Sequence, residues 1–229
     1  MRLTFKLCLL LGLCLISYNA SAFDLDVRSS KANVLDFSLL IEHSSITLEN
    51  DETNVEFNLE RIGILSFDVP SSGPHFGLAL GYAFSDIADD DVYEPISMDG
   101  YYIGVAVRAY VLNLDNLSLQ LTGQYLYQSV SGSEGQQEAS LSWNEFSAKA
   151  IATYRVTNAL HIFAGPIWAT IDATYREKGP IRFTDSFDNK NNTGYFAGIG
   201  YQLNRLEYLG VQYQQAHTEG VVLRFRKLF

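Results

Sequence analysis

The chain has 229 residues, with 26 Asp and Glu against 16 Lys and Arg, only 5 Pro and 2 Cys. Both Cys (Cys8, Cys14) and two of the basic residues (Arg2, Lys6) fall in the first 22 positions, leaving 14 basic against 26 acidic groups and no thiol beyond them, a net charge of −12. That excludes a disulfide scaffold, a thiolate metal site and a Cys nucleophile in residues 23–229, and the missing basic surface argues against nucleic acid as a partner.

In chain order, Met1–Lys6 is short and basic, Leu7–Ile16 is apolar, and Ala20-Ser21-Ala22 has the small residues of a cleavage site. This is the layout of a secretory signal peptide over residues 1–22, which leaves residues 23–229 as one domain. The apolar run is too short to cross a bilayer as a helix, and no later stretch has 18 consecutive apolar residues.

The rest reads with a period of two. Ten segments alternate: Val34–Leu48, Val55–Val69, His75–Ser85, Gly100–Leu112, Leu117–Ser131, Leu141–Thr157, Leu160–Arg176, Gly194–Asn204, Glu207–Gln215 and Gly220–Phe229. Leu117, Leu119, Leu121 and Tyr125 share a face opposite Ser118, Gln120, Thr122 and Gln124. Short turns (Pro70–Pro74, Asn113–Asn116, Asn158, Arg205-Leu206) alternate with mostly longer polar loops at Glu49–Asn54, Asp86–Asp99, Gly132–Ser140, Glu177–Thr193 and Ala216–Glu219. The pattern predicts an all-β fold: a closed antiparallel transmembrane up-and-down barrel of ten strands, or of eight if a marginal segment is misread.

The sign of the alternation sets which face is inside. The faces opposite the apolar sets carry Asp36, Glu42, Glu56, Glu60, Arg108, Glu145, Lys149, Arg155, Asp172, Arg176, Arg224 and Arg226. Unpaired charge is too costly for the core of a soluble barrel, whereas a lumen supplies water and pairing partners. These residues are therefore expected to form a charge network in the lumen. Arg61 breaks the alternation of its strand, and a bulge at Arg61-Ile62-Gly63 is expected to reset it.

Three groups could carry chemistry. His43 lies on the outer half of the first strand and His217 in the last external loop; the first and last strands pair on closure, so the two offer a candidate catalytic pair at the outer rim. Asp89, Asp90, Asp91 and Glu94 crowd oxygen ligands into one loop without the spacing of a calcium loop; no metal site and no cofactor is assigned. The lumen charges form either a plug or a selective channel.

The last strand ends on Phe229, with Val221, Leu223 and Phe225 on the same face. It resembles the C-terminal signal of bacterial outer-membrane proteins, with Phe225 and Phe229 in the positions read by the barrel-assembly machinery. With the leader and the strand pattern, the whole mature chain resembles a small outer-membrane β-barrel of the OmpA/OmpX-like superfamily. The resemblance implies an integral outer-membrane monomer in contact with lipopolysaccharide. Three functions stay open: a non-enzymatic surface protein with a charge-filled lumen and acidic external loops, a small passive pore, and a lipid-modifying enzyme at the outer rim.

Overall fold

The computed structural model describes residues 34–50, 54–70, 73–87, 96–179 and 182–229. The signal-peptide reading and the acidic group Asp89, Asp90, Asp91 and Glu94 lie outside the described residues. Eleven strands are formed, all pairing antiparallel: β1 (Val34–Glu49), β2 (Asn54–Val69), β3 (His75–Ile87), β4 (Met98–Asn113), β5 (Leu117–Glu134), β6 (Gln137–Arg155), β7 (Leu160–Lys178), β8 (Phe183–Asn189), β9 (Thr193–Gln202), β10 (Glu207–Gln215) and β11 (Thr218–Leu228).

Ten of them close a ring, β1 through β7 then β9, β10 and β11, sealed where β11 pairs with β1 from Asp36↔Leu228 to Ile46↔Thr218. The eleventh, β8, makes a second and smaller ring. Above the level of Trp168, β7 leaves β9 and pairs with β8 from Asp172 to Glu177. β8 in turn touches β1 at Leu48↔Asn189 and Glu49↔Asp188. The barrel is thus ten-stranded toward the short-turn end and eight-stranded toward the other.

Strand length explains the two rings. A tilted strand crosses a bilayer in about 9–11 residues. β9, β10 and β11 have 10, 9 and 11 residues and do only that. β5, β6 and β7 have 18, 19 and 19 and continue well past it. The predicted loop Gly132–Ser140 is therefore corrected: its residues extend β5 and β6, which join through Gly135-Gln136 alone. Gly135 takes a left-handed φ of 62° there, which suits glycine. The long connection Glu177–Thr193 likewise contains β8.

The expected bulge at Arg61 is absent. β2 keeps one register against β1 and against β3 throughout. The register shift occurs instead between Tyr110 and Leu112, where β4 nears the short-turn end.

Candidate functional site: the barrel lumen

The residues facing in and out exchange character part-way along the long strands. Near the short-turn end of β6, Phe146, Ala148, Ala150, Ala152 and Tyr154 face out, while Glu145, Ser147, Lys149, Thr153 and Arg155 face in. Past Glu145 the order inverts: Asn144, Ser142 and Glu138 face out, and Trp143, Leu141 and Ala139 are buried inside. β1, β2 and β7 do the same. On β2, Ile62 and Ile64 face out below, Glu56 and Glu60 face out above, and Val55, Phe57 and Leu59 fill the inside.

The lower part therefore has an apolar exterior. Leu39, Ile41, Leu78, Leu80, Ile103, Val105, Ile199 and Leu223 are exposed there. So continuous an apolar surface marks a membrane belt. The upper part is patterned like a soluble barrel, with one apolar cluster inside that includes Leu48, Phe57, Leu59, Leu141, Trp143, Ile171 and Tyr175.

This exchange corrects four of the predicted lumen charges. Glu56, Glu60, Asp172 and Arg176 are exposed on the outside of the wall. All four lie above the exchange, where the outward face meets water and has no need to be apolar. Arg61, expected to need a bulge, is instead an ordinary inward residue and is 5% exposed.

The inward charges of the lower part form two clusters. The upper one lies directly beneath the apolar cluster. Arg61 donates from Nε to Gln128 Oε1 at 2.8 Å and from Nη2 to Glu145 Oε2 at 3.1 Å, and its Nη1 stands 3.5 Å from Glu42. Its guanidinium also lies 5.4 Å from the centroid of the Trp143 ring and 5.8 Å from that of Tyr102. His217 Nε2 meets the other oxygen of Glu145 at 3.3 Å. A buried guanidinium is tolerated when its donors are used in this way.

The lower cluster centres on Asp36, which is fully buried. It accepts from Arg226 Nε at 2.8 Å and pairs with Arg108. Arg108 also donates to His75 Nδ1 at 3.0 Å and packs over Phe67 at 4.2 Å. His75 and His161 face inward and are buried.

His43 and His217 do not form a site. His43 faces outward, pairs in register with Val221, and meets Glu60 at 3.0 Å in an exposed contact. His217 is buried on the other side of the wall. At the C-terminus, Val221, Leu223 and Phe229 are on the outer face. Phe229 makes an edge contact with Phe37 at 6.5 Å, and Lys227 beside it binds Glu207 at 2.9 Å.

Between the lower cluster and the level of Lys149 lies a cavity of about 190 Å³. Its walls hold four cations (Arg108, Lys149, Arg224 and Arg226), together with amides, hydroxyls and aromatic rings. Its room follows from glycine on the facing strands. Gly198 and Gly200 point inward on β9, and a Cβ at either would strike the ring of Phe163 or Tyr208 lying across them. Periodicity gave no hint of this cavity, because it shows which way a residue points and not how wide the ring is.

No protein-family model matches the sequence, and no curated protein matches it. Solved structures do. The translocator domain of autotransporter NalP from Neisseria meningitidis aligns with a TM-score of 0.49 and 13% identity, over 90% of each chain. The outer membrane protease OmpT from Escherichia coli aligns at 0.47 and 12%, over 90% of this chain and 97% of that one. Ail, the attachment invasion locus protein of Yersinia pestis, aligns at 0.42 and 8%, over 86% and 99%. The closed ten-stranded ring, the apolar belt and the charged interior are the architecture of a membrane-spanning β-barrel.

The fold is that of a small outer-membrane β-barrel.

Proposed function

We propose that the protein is an integral, non-conducting outer-membrane monomer whose strand-built extension meets lipopolysaccharide or the environment. One observation carries the reading: the outer end of the lumen is filled. Leu48, Val55, Leu59, Leu141, Trp143, Ile171 and Tyr175 have no exposed surface inside the eight-stranded ring. The Arg61–Glu145–Glu42 ion pairs close the level below. A passive pore needs a wetted path, and interdigitated side chains at native packing density leave none.

The outer surface of the extension supports the contact half of the reading. It carries His43, Glu60, Asp172 and Arg176 in place of the apolar belt. That mixture suits sugars, phosphates and water rather than acyl chains. Acidic residues 89–91 and 94 would add divalent-bridged contact with lipid phosphates. A lipid-modifying role is disfavoured by His43 and His217 standing on opposite sides of the wall. Export by the leader and insertion by the barrel-assembly machinery through Phe225 and Phe229 belong to the same reading.

The test is single-channel recording of the refolded full chain in a planar bilayer, with gel heat-modifiability confirming the folded barrel. Silence is expected. Steady channels from folded protein would overturn the reading.

A further inference from the structure

The lumen below the seal is electrostatically unbalanced. In the membrane-spanning part six cationic side chains face inward: Arg61, Arg108, Lys149, Arg155, Arg224 and Arg226. Among the described residues three carboxylates face them, and each is committed: Asp36 to Arg108 and Arg226, Glu42 to Arg61, and Glu145 to Arg61 and His217. Among the described residues Arg224 and Lys149 make no ion pair within 4 Å; Asp36 acts on Arg224, and Glu42 and Glu145 on Lys149, only at longer range, inside a chain that is otherwise strongly acidic.

The register explains why. The cross-strand neighbours of Arg224 are Leu40 on β1 and Gly210 on β10, neither of which has a side-chain acceptor. Those of Lys149 are Thr122 and Ile167; its ammonium meets the amide oxygen of Gln214 at 3.5 Å and lies 5.9 Å from the centroid of the Phe196 ring. Both cations line the same cavity and lie within electrostatic reach of each other. A structural plug would pair its charges, because an enclosed cation without a counter-ion is costly. Ion pairs are made around Arg61 and around Asp36, and are missing at Arg224 and Lys149, which line the cavity wall.

The rest of the cavity wall defines what fits beside the charges. Phe67, Ile151 and Phe163 supply apolar surface, and Gln120, Gln124 and Gln212 supply amides. Ser118, Thr153 and His161 line it within a few residues of the short-turn end, and His161 Nε2 is buried without a hydrogen-bond partner. The short-turn end of such a barrel faces the periplasm.

We propose that this chamber binds a small organic anion admitted from the periplasmic side. The anionic end, a carboxylate or phosphate, sits against Arg224 and Lys149, and the apolar body lies on Phe163, Ile151 and Phe67. The guanidinium of Arg224 offers the forked donors that match either headgroup. The inference takes from the proposed function only that the outer end is sealed, so that the chamber is a pocket and not a passage.

The test is isothermal titration of the refolded full chain in lipid nanodiscs with benzoate, phenyl phosphate, inorganic phosphate and benzylammonium. Every variant is first checked for folding by heat-modifiability. Benzoate or phenyl phosphate is expected to bind saturably, about tenfold more weakly to R224Q and to K149Q, and unchanged to R176Q on the outer wall. No binding of either aromatic anion, or affinity unchanged in both R224Q and K149Q, overturns the proposal. Benzylammonium binding as tightly as benzoate overturns the charge assignment. Inorganic phosphate binding as tightly as phenyl phosphate overturns the apolar half of the site. Conductance is a separate reading, so a failed titration with silent recordings sinks this inference alone.

Discussion

Arg61 on β2 reaches across the barrel to Glu145 on β6, with Nη2 and Oε2 3.1 Å apart and both side chains almost wholly buried. Each is the first inward residue below the fully buried apolar side chains of the outer ring on its strand, Leu59 and Trp143 being the next above. The pair therefore marks the floor of the outer core. Breaking a buried pair leaves one uncompensated charge, which costs about 3–5 kcal/mol, while replacing both partners with apolar groups is often neutral. R61A is expected to lose stability on that scale, and R61M with E145L and E42Q, which removes both carboxylate partners of Arg61, to recover most of it. Guanidinium unfolding of the refolded chain in lipid checks this; a single-variant loss below about 1 kcal/mol would mean that the pair is solvated.

The exchange of faces gives a second prediction. Both native cysteines, Cys8 and Cys14, lie in residues 1–22, so in a background carrying C8S and C14S an introduced thiol reports on its own. E60C sits on the outer wall above the belt and is expected to react with a membrane-impermeant maleimide. L59C, buried in the outer core, and I62C, on the lipid face, are expected to stay unlabelled in the native membrane and to react once the protein is denatured. Labelling of L59C with protection of E60C would reverse the assignment of faces.

Why periodicity misled at Glu60 and Arg61 is physical. Alternation tells which residues share a face, and it does so correctly along all of β2. Which face is inside depends on the surrounding solvent, and that changes from hydrocarbon to water along one unbroken strand. A single rule applied to the whole strand had to place Glu56 and Glu60 inside and invent a bulge for Arg61. The sequence did hold the missing signal: apolar residues move from odd positions (Val55, Phe57, Leu59) to both parities (Ile62, Ile64, Leu65) as Arg61 is passed. Ten ring strands, their order and the two ends of the barrel were legible because they rest on alternation and turns. β8 was not legible, since its seven residues (FTDSFDN) are mostly polar and pair in an extension that no turn spacing announces. The cavity was not legible either, because its room depends on glycines and aromatic rings meeting across strands.

The two tryptophans give a third prediction. Trp168 is on the outer wall at the last position where β7 pairs with β9, whereas Trp143 is fully enclosed in the outer core. In vesicles containing brominated lipid, the fluorescence of Trp168 (measured in W143F) is expected to fall strongly. That of Trp143 (measured in W168F) is expected to stay nearly unchanged, and to resist acrylamide as well. W143A would leave a large cavity and lower stability by about 3–5 kcal/mol in the same unfolding experiment. Equal quenching of both residues would contradict the placement of Trp143 in a sealed core.

The narrowing from ten strands to eight depends on Asn189. β7 stops pairing with β9 at Trp168 and starts pairing with β8 at Asp172. In the gap, Asn189 accepts from the backbone N–H of Ile171 at 2.8 Å and donates from Nδ2 to the carbonyls of Ala169 and Asn191. It replaces the ladder with its own side chain, in a buried position where an unsatisfied backbone group costs roughly 1–3 kcal/mol. N189L is close in size but cannot make these bonds. It is expected to free β8 from β1 and β7 and to open residues 179–192 to limited proteolysis, with the ten-stranded ring below intact by heat-modifiability. The β8–β1 contact among the described residues is short, two residue pairs (Leu48↔Asn189 and Glu49↔Asp188) followed by one hydrogen bond from Lys190 N–H to the Thr47 carbonyl at 3.2 Å. Protease resistance equal to wild type would show that the apolar cluster, through Phe187 and Tyr175, seals the outer ring without the asparagine.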